Sequence, residues 1–498
     1  MKRSKHNLSY TKLFSCDMGE LVPAGITEVL PGDTLRVNTN ALVRAAALLS
    51  PVMHPVNVRI HHWFVPNRLL WSNWEKFITG GPDGLDASVH PTVTVPGGGF
   101  AVGSLADYLG IPTGVGAGQS VSALPFRAYA LIFNSWYRDQ DLVTALPLST
   151  ADGVDSTTNT TLQSCAWEKD YFTSSRPWEQ KGAAVTIPLG GNAPVSGIGL
   201  NDGTATSALP GTVRQSNNTL MSGNWATNSQ WYFKTTTTGN SGSGNPPDIK
   251  ADLTAATGVS VNALRASMAI QRFQEARARY GSRYTEYLSS LGIRSSDARL
   301  QLPEYLGGGR QTIQFSEVVA TAETGTSVDV GDLKGHGIAA MRTNRCQFFA
   351  EEHGFLMTLM SIQPKTIYAN GLFKMWNRRT KLDYWQKELE HIGQQAVAKK
   401  EVYMASASPD SVFGYQDRYD EYRRAESMIG GEFRSTLLDF WHMARILASE
   451  PSLNSTFVTC VPTERTFAVP SQDVIYVHAR HQVLARRLVS AKGTSFLF

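Results

Sequence analysis

Between Val56 and Phe64 the side chains alternate. Val56, Val58, Ile60 and Phe64 fall on one side, and Asn57, Arg59, His61 and Trp63 on the other. A period of two marks a half-buried β-strand, because successive Cβ atoms point to opposite faces of a sheet. The same period runs through residues 35–41. Residues 355–362 are apolar almost throughout, the pattern of a strand covered on both faces. Residues 456–461 and 473–478 read as late strands, and Pro and Gly punctuate the intervals, as in Leu30-Pro-Gly-Asp33. Short strands spread over the whole length, with few βα alternations, predict an antiparallel β-sandwich. A chain of 498 residues, 42% of them hydrophobic, can bury a sizeable core.

Helices are fewer. Residues 124–138 are apolar and aromatic enough to form one. In residues 260–291, Phe273, Ala276, Tyr280, Tyr284, Tyr287 and Leu291 recur every three or four positions, although Gly281 weakens the middle. Residues 430–449 predict a third helix, with Leu437, Trp441, Ala444 and Leu447 as its stripe and Pro451 beyond its end. Residues 191–247 differ in kind. Their only charged residues are Asp202, Arg214 and Lys234, and Ser, Thr, Asn and Gly dominate. Such a run cannot order itself as a core, and a flexible linker is one reading. It also holds Trp225, Trp231, Tyr232 and Phe233, which plain linkers avoid, and this favours a surface insertion that packs in an oligomer.

Catalytic spacing is sparse. The sequence has no P-loop, no His-Glu-x-x-His and no Gly-x-Ser-x-Gly elbow. His61 and His62 are neighbours on a strand, so their rings diverge. Glu351-Glu352-His353 reads as a structural set. Asp152, Asp155 and Asp170 match no compact calcium loop. Cys16, Cys165, Cys346 and Cys460 lie far apart, which predicts buried free thiols in a reducing cytoplasm. The start, Met1-Lys-Arg-Ser-Lys-His6, is basic with no apolar run after it, so it does not read as a secretory signal.

Packing is the stronger theme. Residues 60–77 hold Trp63, Trp71 and Trp74 with Phe64 and Phe77, a density that normally buries large area in a core or an interface. The formal net charge is only +4, so any nucleic-acid contact must come from local clusters. Two basic ends are candidates for phosphate contact: Lys2, Arg3 and Lys5 at the start, and Arg480, Arg486, Arg487 and Lys492 at the finish. Arg265, Arg272, Arg279 and Arg283 share one side of the 260–291 helix. They suit a salt-bridged face, phosphates or an acidic neighbouring subunit.

An ordered set of blocks carries a resemblance. It begins with Gly19-Glu-Leu-Val-Pro-Ala-Gly, Glu28-Val-Leu-Pro-Gly-Asp-Thr34 and Pro51-Val-Met53 and runs through the aromatic segment. It continues in Arg127-Ala-Tyr-Ala-Leu-Ile-Phe-Asn-Ser-Trp-Tyr-Arg-Asp-Gln140, Asp170-Tyr-Phe-Thr-Ser-Ser-Arg-Pro-Trp178 and Arg283-Tyr-Thr-Glu286. Asp297-Ala-Arg-Leu-Gln-Leu-Pro-Glu-Tyr-Leu-Gly-Gly308, Glu352-His-Gly354, Val412-Phe-Gly-Tyr-Gln-Asp-Arg-Tyr-Asp-Glu-Tyr-Arg423 and Leu438-Asp-Phe-Trp-His442 complete it. In this succession, from Gly19 to Asn454, the chain resembles the major capsid protein of the Microviridae, small single-stranded DNA bacteriophages, and within them the gokushovirus-type coat protein.

The resemblance implies an eight-stranded viral jelly roll with long loop insertions and a few helices, with no enzymatic activity and no cofactor or metal. It implies a T=1 icosahedral shell of about sixty copies, built as pentamers around circular single-stranded DNA. Scaffolding, pilot and small DNA-binding virion proteins, and a host surface receptor, would be the partners. Assembly would take place in the bacterial cytoplasm, without a membrane. The layout expected is a basic N-terminal arm over 1–20, the first part of the core over 21–190 and a surface insertion over 191–250, which forms three-fold protrusions in the resembled family. Inserted helices and the rest of the core follow over 251–470, then a basic tail over 471–498. The subunit-interface candidates are Arg265, Arg272, Arg279, Arg283, Trp63, Trp71, Trp74, Trp225 and Trp231. Two other readings of a β-sandwich stay open at this point. One is a carbohydrate-active or sugar-binding protein using Glu351, Glu352 or Asp383. The other is a single-stranded DNA-binding protein with aromatic platforms.

Overall fold

The alternation that begins at Val56 continues to Pro66, and the fold is built around this strand. A computed structural model describes residues 3–185, 195–196, 250–251, 261–281, 283–294, 296–321 and 330–491. The principal sheet has ten strands: β1 (Ser4–Asn7), β2 (Tyr10–Cys16), β3 (Leu21–Val29), β4 (Thr34–Ala45), β5 (Val56–Pro66), β6 (Glu304–Val319), β7 (Leu333–Arg342), β8 (Cys346–Phe349), β9 (Gly354–Pro364) and β10 (Ile475–Arg487). They fill eight positions. β1 and β2 lie end to end along one edge of β10, and β7 and β8 end to end along one edge of β4. The order is β1/β2–β10–β4–β7/β8–β6–β5–β9–β3, antiparallel throughout. This is the curled sandwich of a jelly roll.

β6 turns the corner. Its first part, Glu304 to Ile313, pairs with β5, and its second, Gln314 to Val319, pairs with β7. A register shift falls between Tyr305 and Gly307, near the start of β6 and before the change of partner at Ile313. The glycines here are needed for closeness: a Cβ on Gly308 would lie 2.1 Å from the Ile60 carbonyl oxygen.

Val56, Val58 and Ile60 of β5 point between the two sheets, where they join Val43, Met341 and Val477 in one apolar cluster. Phe64 joins Val37 and Val483 in the next. Burying each such side chain contributes about 1.5–3 kcal/mol. The opposite side of β5 is buried as well. Trp63 and Val65, with Met357 and Leu359 of β9, pack under α1 (Leu124–Ile132), against Phe126, Tyr129, Leu70 and Trp71. The half-sandwich β6–β5–β9–β3 thus carries a second apolar layer, which is why residues 355–362 read as apolar on both sides. α1 runs on as a π-helical turn, Phe133–Tyr137, so the predicted helix over 124–138 is present in two pieces.

Two polar histidines sit between the sheets. His62 lies 2.9 Å from the Thr358 hydroxyl and 3.1 Å from that of Thr343. His481 places Nε2 2.9 Å from the Ala24 carbonyl and Nδ1 2.9 Å from the Thr39 hydroxyl. A carbonyl only accepts, so Nε2 of His481 donates to it and Nδ1 accepts from Thr39.

Other expectations need correction. Residues 456–461 are not a strand. Asn454 accepts the Phe457 N–H at 3.0 Å and caps a one-turn helix, Ser455–Val458. Residues 430–449 form short 3-10 turns, Gly431–Arg434 and Asp439–Trp441, instead of a helix. Arg465 takes the carbonyls of Asp439, His442 and Ala444, groups that a helix would spend on its own amides. The helix over 260–291 exists as α2 (Val261–Tyr280) and α3 (Tyr284–Ser290), parted at Gly281. Its stripe is not core: Phe273 is 52% exposed and Tyr284 63%.

Nor are the described parts of the basic ends free. From Ser4 the N-terminal segment lies in β1 and β2, both paired with β10, and β10 takes up Ile475–Arg487 of the expected tail. Alternation explains this, since Ile475, Val477, Ala479, Val483 and Ala485 bury one face of the strand. The chain divides into two compact units, Met1–Glu179 with Ala278–Phe498, and Gln180–Arg277. In the second, Val195–Ser196 pairs antiparallel with Lys250–Ala251.

Candidate nucleic-acid interface and subunit contacts

The half-sandwich β1/β2–β10–β4–β7/β8 turns a basic face outward. In β10, Tyr476, His478, Arg480, Leu484 and Arg486 are exposed between buried neighbours. Register carries this outward set across the sheet. Arg480 is paired with Asn40 and Asn40 with Arg342; Tyr476 is paired with Arg44 and Arg44 with Ile338; Leu484 is paired with Arg36. Lys334 and His336 extend the face along β7. Lys5, Arg36, Arg44, Lys334, Arg342, Arg480 and Arg486 therefore share one surface, and the six strands that make it contain no Asp or Glu.

Among the described residues none of these cations has a carboxylate within ion-pair distance, whereas Arg487 pairs with Asp33 at 2.6 Å. Arg36 donates to Gln347 at 3.1 Å. Lys5 stands directly opposite Arg486. Like charges in that position destabilise a sheet, and a bound polyanion removes the cost. Behind the face, Lys12 points inward and donates to the carbonyls of Pro23 and Tyr108 at 2.7 and 2.5 Å. Burial pulls its ammonium down to about 8, although Asp107 opposes the shift.

Residues 1–496 match a family described as capsid protein (F protein). The capsid protein VP1 of Bdellovibrio phage phiMH2K is 38% identical over 492 residues, covering 95% of this chain and 90% of the relative. VP1 of Chlamydia phage 1 is 35% identical over 552 residues, covering 95% and 92%, and VP1 of Spiroplasma virus 4 is 31% identical over 502 residues, covering 95% and 90%. The chain belongs to the capsid protein (F protein) family. Its role is that of a structural protein of the virion, and the resemblance to Microviridae coat proteins holds over nearly the whole chain.

The sequence candidates of this capsid protein divide three ways. Lys5, Arg480 and Arg486 lie on the basic face. Arg3 is tied down: it donates to the Gly32 carbonyl at 2.9 Å and lies over the Phe349 ring. Arg487 points the other way, onto Asp33 at 2.6 Å, and does not share the basic face. Lys2, Lys492, Trp225 and Trp231 lie outside the described residues. The face gains Arg36, Arg44, Lys334 and Arg342, which sequence reading missed. Their signal was the outward phase of alternating strands, visible for Arg36 within residues 35–41.

Two of the interface tryptophans also need correction. Trp63 and Trp71 are buried in the chain's own second core, and Trp74 packs on His353 and Trp71. Arg279 pairs with Asp417 at 2.9 Å, and Arg283 donates to the carbonyls of Arg138 and Asn134 at 2.8 and 3.3 Å, so both fasten helices within the subunit. Arg265 and Arg272 are exposed on α2. Among the described residues the most exposed tryptophans are elsewhere: Trp376 is 61% and Trp385 49% accessible, in a stretch of 3-10 turns that also bares Met375, Leu382 and Tyr384. Large apolar groups gathered in this way mark surfaces that a partner covers.

Two of the three carboxylates weighed for sugar hydrolysis have structural partners. Glu352 holds Arg68 at 3.1 Å, and Asp383 accepts the Arg379 and Thr380 amides. Asp155, Asp152 and Asp170 are likewise bonded to Arg127, Asn73 and the Thr173 amide. Among the described residues no group of three His, Cys, Asp or Glu is placed to hold a metal ion. Cys16, Cys165 and Cys460 are buried and free, and Cys346 is half-buried and free.

Proposed function

We propose that this capsid protein closes a T=1 shell of about sixty copies, assembled as pentamers, around circular single-stranded DNA, with the β10–β4–β7 face turned toward the genome. The observation that carries the reading is the basic face whose six strands hold no Asp or Glu and whose cations, Lys5 and Arg486 among them, lack carboxylate partners. Contacts of this kind bind phosphates without reading bases, and they weaken as salt rises. The subunit works through interface area instead of an active site, and an obligate assembly of this kind buries roughly 2,000–5,000 Å² per interface. Trp376, Trp385 and the bared stripe of Tyr280, Tyr284 and Tyr287 are the surfaces neighbouring copies would cover.

Assembly in the bacterial cytoplasm with scaffolding, pilot and small DNA-binding proteins belongs to the same reading. The insertion over 191–250 is the part proposed to form the three-fold protrusion and to meet a host receptor. The pairing of Val195–Ser196 with Lys250–Ala251 supports it, because a segment whose two ends lie side by side can be carried as an insertion.

Two tests follow from these surfaces. Replacing Trp376 and Trp385 by Ala should leave a folded, soluble chain that no longer assembles, each buried anchor being worth about 2 kcal/mol or more. Sedimentation velocity of chain co-expressed with its scaffold reads this out, and undiminished particle yield contradicts it. Replacing Arg36, Arg44, Arg480 and Arg486 by Gln should lower the nucleic-acid content of particles, seen in the 260/280 nm absorbance ratio, while shells still form. Unchanged DNA content removes this face as the genome contact.

A further inference from the structure

The basic face is not uniformly polar. On it Leu13, Leu42, Arg44, Tyr476 and His478 line a groove of about 470 Å³. Register explains it: Leu13, His478 and Leu42 form one cross-strand row, and Ser15, Tyr476 and Arg44 the next. Leu13 is 73% exposed and Tyr476 47%. Apolar side chains this bare, on a face otherwise given to cations, have no use in a purely electrostatic contact. Arg480 stands in the following row, and Arg342 lies two strands away, about 10 Å. Cations therefore flank the groove with no carboxylate among the six strands of the face, and the carboxylate at its end, Asp473 just before β10, is engaged by the Ser15 hydroxyl at 2.5 Å.

We infer that this groove is a nucleobase subsite: a single-stranded polynucleotide lays a base against the Tyr476 ring between Leu13 and Leu42 while Arg44 and Arg480 hold its phosphates. The charge pattern asks for a polyanion and the groove asks for a planar apolar group, and a nucleotide of a single strand offers both. A duplex keeps its bases stacked inside and presents a sheet with phosphates alone, so the groove favours single strands. Stacking on an aromatic side chain accepts any base, which suits a surface that holds a genome without reading its sequence. The inference rests on the proposal that this face meets DNA, and it adds how the strand is held.

The test uses the full-length soluble chain and three labelled probes read by fluorescence anisotropy: a short oligothymidylate, an abasic strand of equal length and a duplex of equal length. Tyr476→Ala should weaken oligothymidylate binding about tenfold and leave the abasic strand and the duplex unchanged, and Tyr476→Phe should bind like the wild type. Arg44→Gln with Arg480→Gln should weaken all three probes. If Tyr476→Ala weakens every probe equally, or none, the stacking subsite is wrong while the basic face stands. If the paired arginine variant changes no probe, the reading of the face itself fails.

Discussion

Replacing Arg127 by Met is expected to destabilise the subunit by about 3–5 kcal/mol, the cost of leaving a buried charge without its partner. Arg127 projects from α1 into the second core and is fully buried. Its Nε donates to Asp155 at 2.7 Å, and its two terminal nitrogens donate to the carbonyls of Leu70 and Ala151 at 3.0 and 2.9 Å. One guanidinium thus joins the helix to the loop that carries Trp71 and to the loop of residues 151–158. Asp155 also accepts the Thr158 hydroxyl at 2.6 Å and the Thr158 and Thr157 amides at 2.9 and 3.1 Å. Burial alone would raise its carboxyl; the bonds from Thr158, Arg127 and Thr157 hold it below the usual range. Urea unfolding of the soluble chain measures the loss. Arg127→Met with Asp155→Val should recover part of it, since no lone charge then remains. A single variant as stable as the wild type would contradict the role given to the pair.

The second large effect is expected on acidification. Burial pushes His62 down to about 3, with His481 and His61 adding repulsion, and pushes His481 and His54 down to about 4. Folded values below the ordinary 6.5 mean that the unfolded chain binds the proton first. Stability is therefore complete above pH 6.5 and falls as pH drops through 6.5 toward 4, by about 2 kcal/mol per histidine at pH 5. Glu20 works the other way. Burial lifts it to about 7, so the folded chain gains its proton first and stability rises as pH falls from 7 toward 4.5. These three histidines outweigh Glu20, and His61 is lowered the same way; burial also raises Asp17, Glu304, Glu401, Asp420, Glu426 and Glu464, which oppose the loss. Urea midpoints at pH 7, 6 and 5 should fall less steeply in His62→Gln, which is less stable at pH 7, than in the wild type. A pH slope unchanged in His62→Gln would contradict a neutral, buried His62.

How much of this was legible in the sequence depended on whether a pattern was local. Val56 to Phe64 announced a strand because each side chain reports its own face, and the continuous apolar run of residues 355–362 announced a strand with cover on both sides. The rest of β10 had the same period, and a basic composition masked it, so a strand was taken for a tail. The helix expected over 430–449 had the right spacing but lost its carbonyls to Arg465, a partner distant in sequence. Trp63 and Trp71 showed that something large would be buried. Only the second layer under α1 shows that they are buried within their own chain. The basic face was half visible: Lys5, Arg480 and Arg486 were named as ends, but Arg36, Arg44 and Arg342 join them through strand register, which no single stretch of sequence displays.

A reconstruction by electron cryomicroscopy of particles formed by this chain with its scaffold bears most directly on the proposed shell. Closed T=1 shells are expected, with Tyr476, Arg480 and Arg486 on the inner surface and Trp376 and Trp385 covered by neighbouring copies. A chain that stays monomeric with its scaffold present, or a shell that turns the β10–β4–β7 face outward, would contradict it.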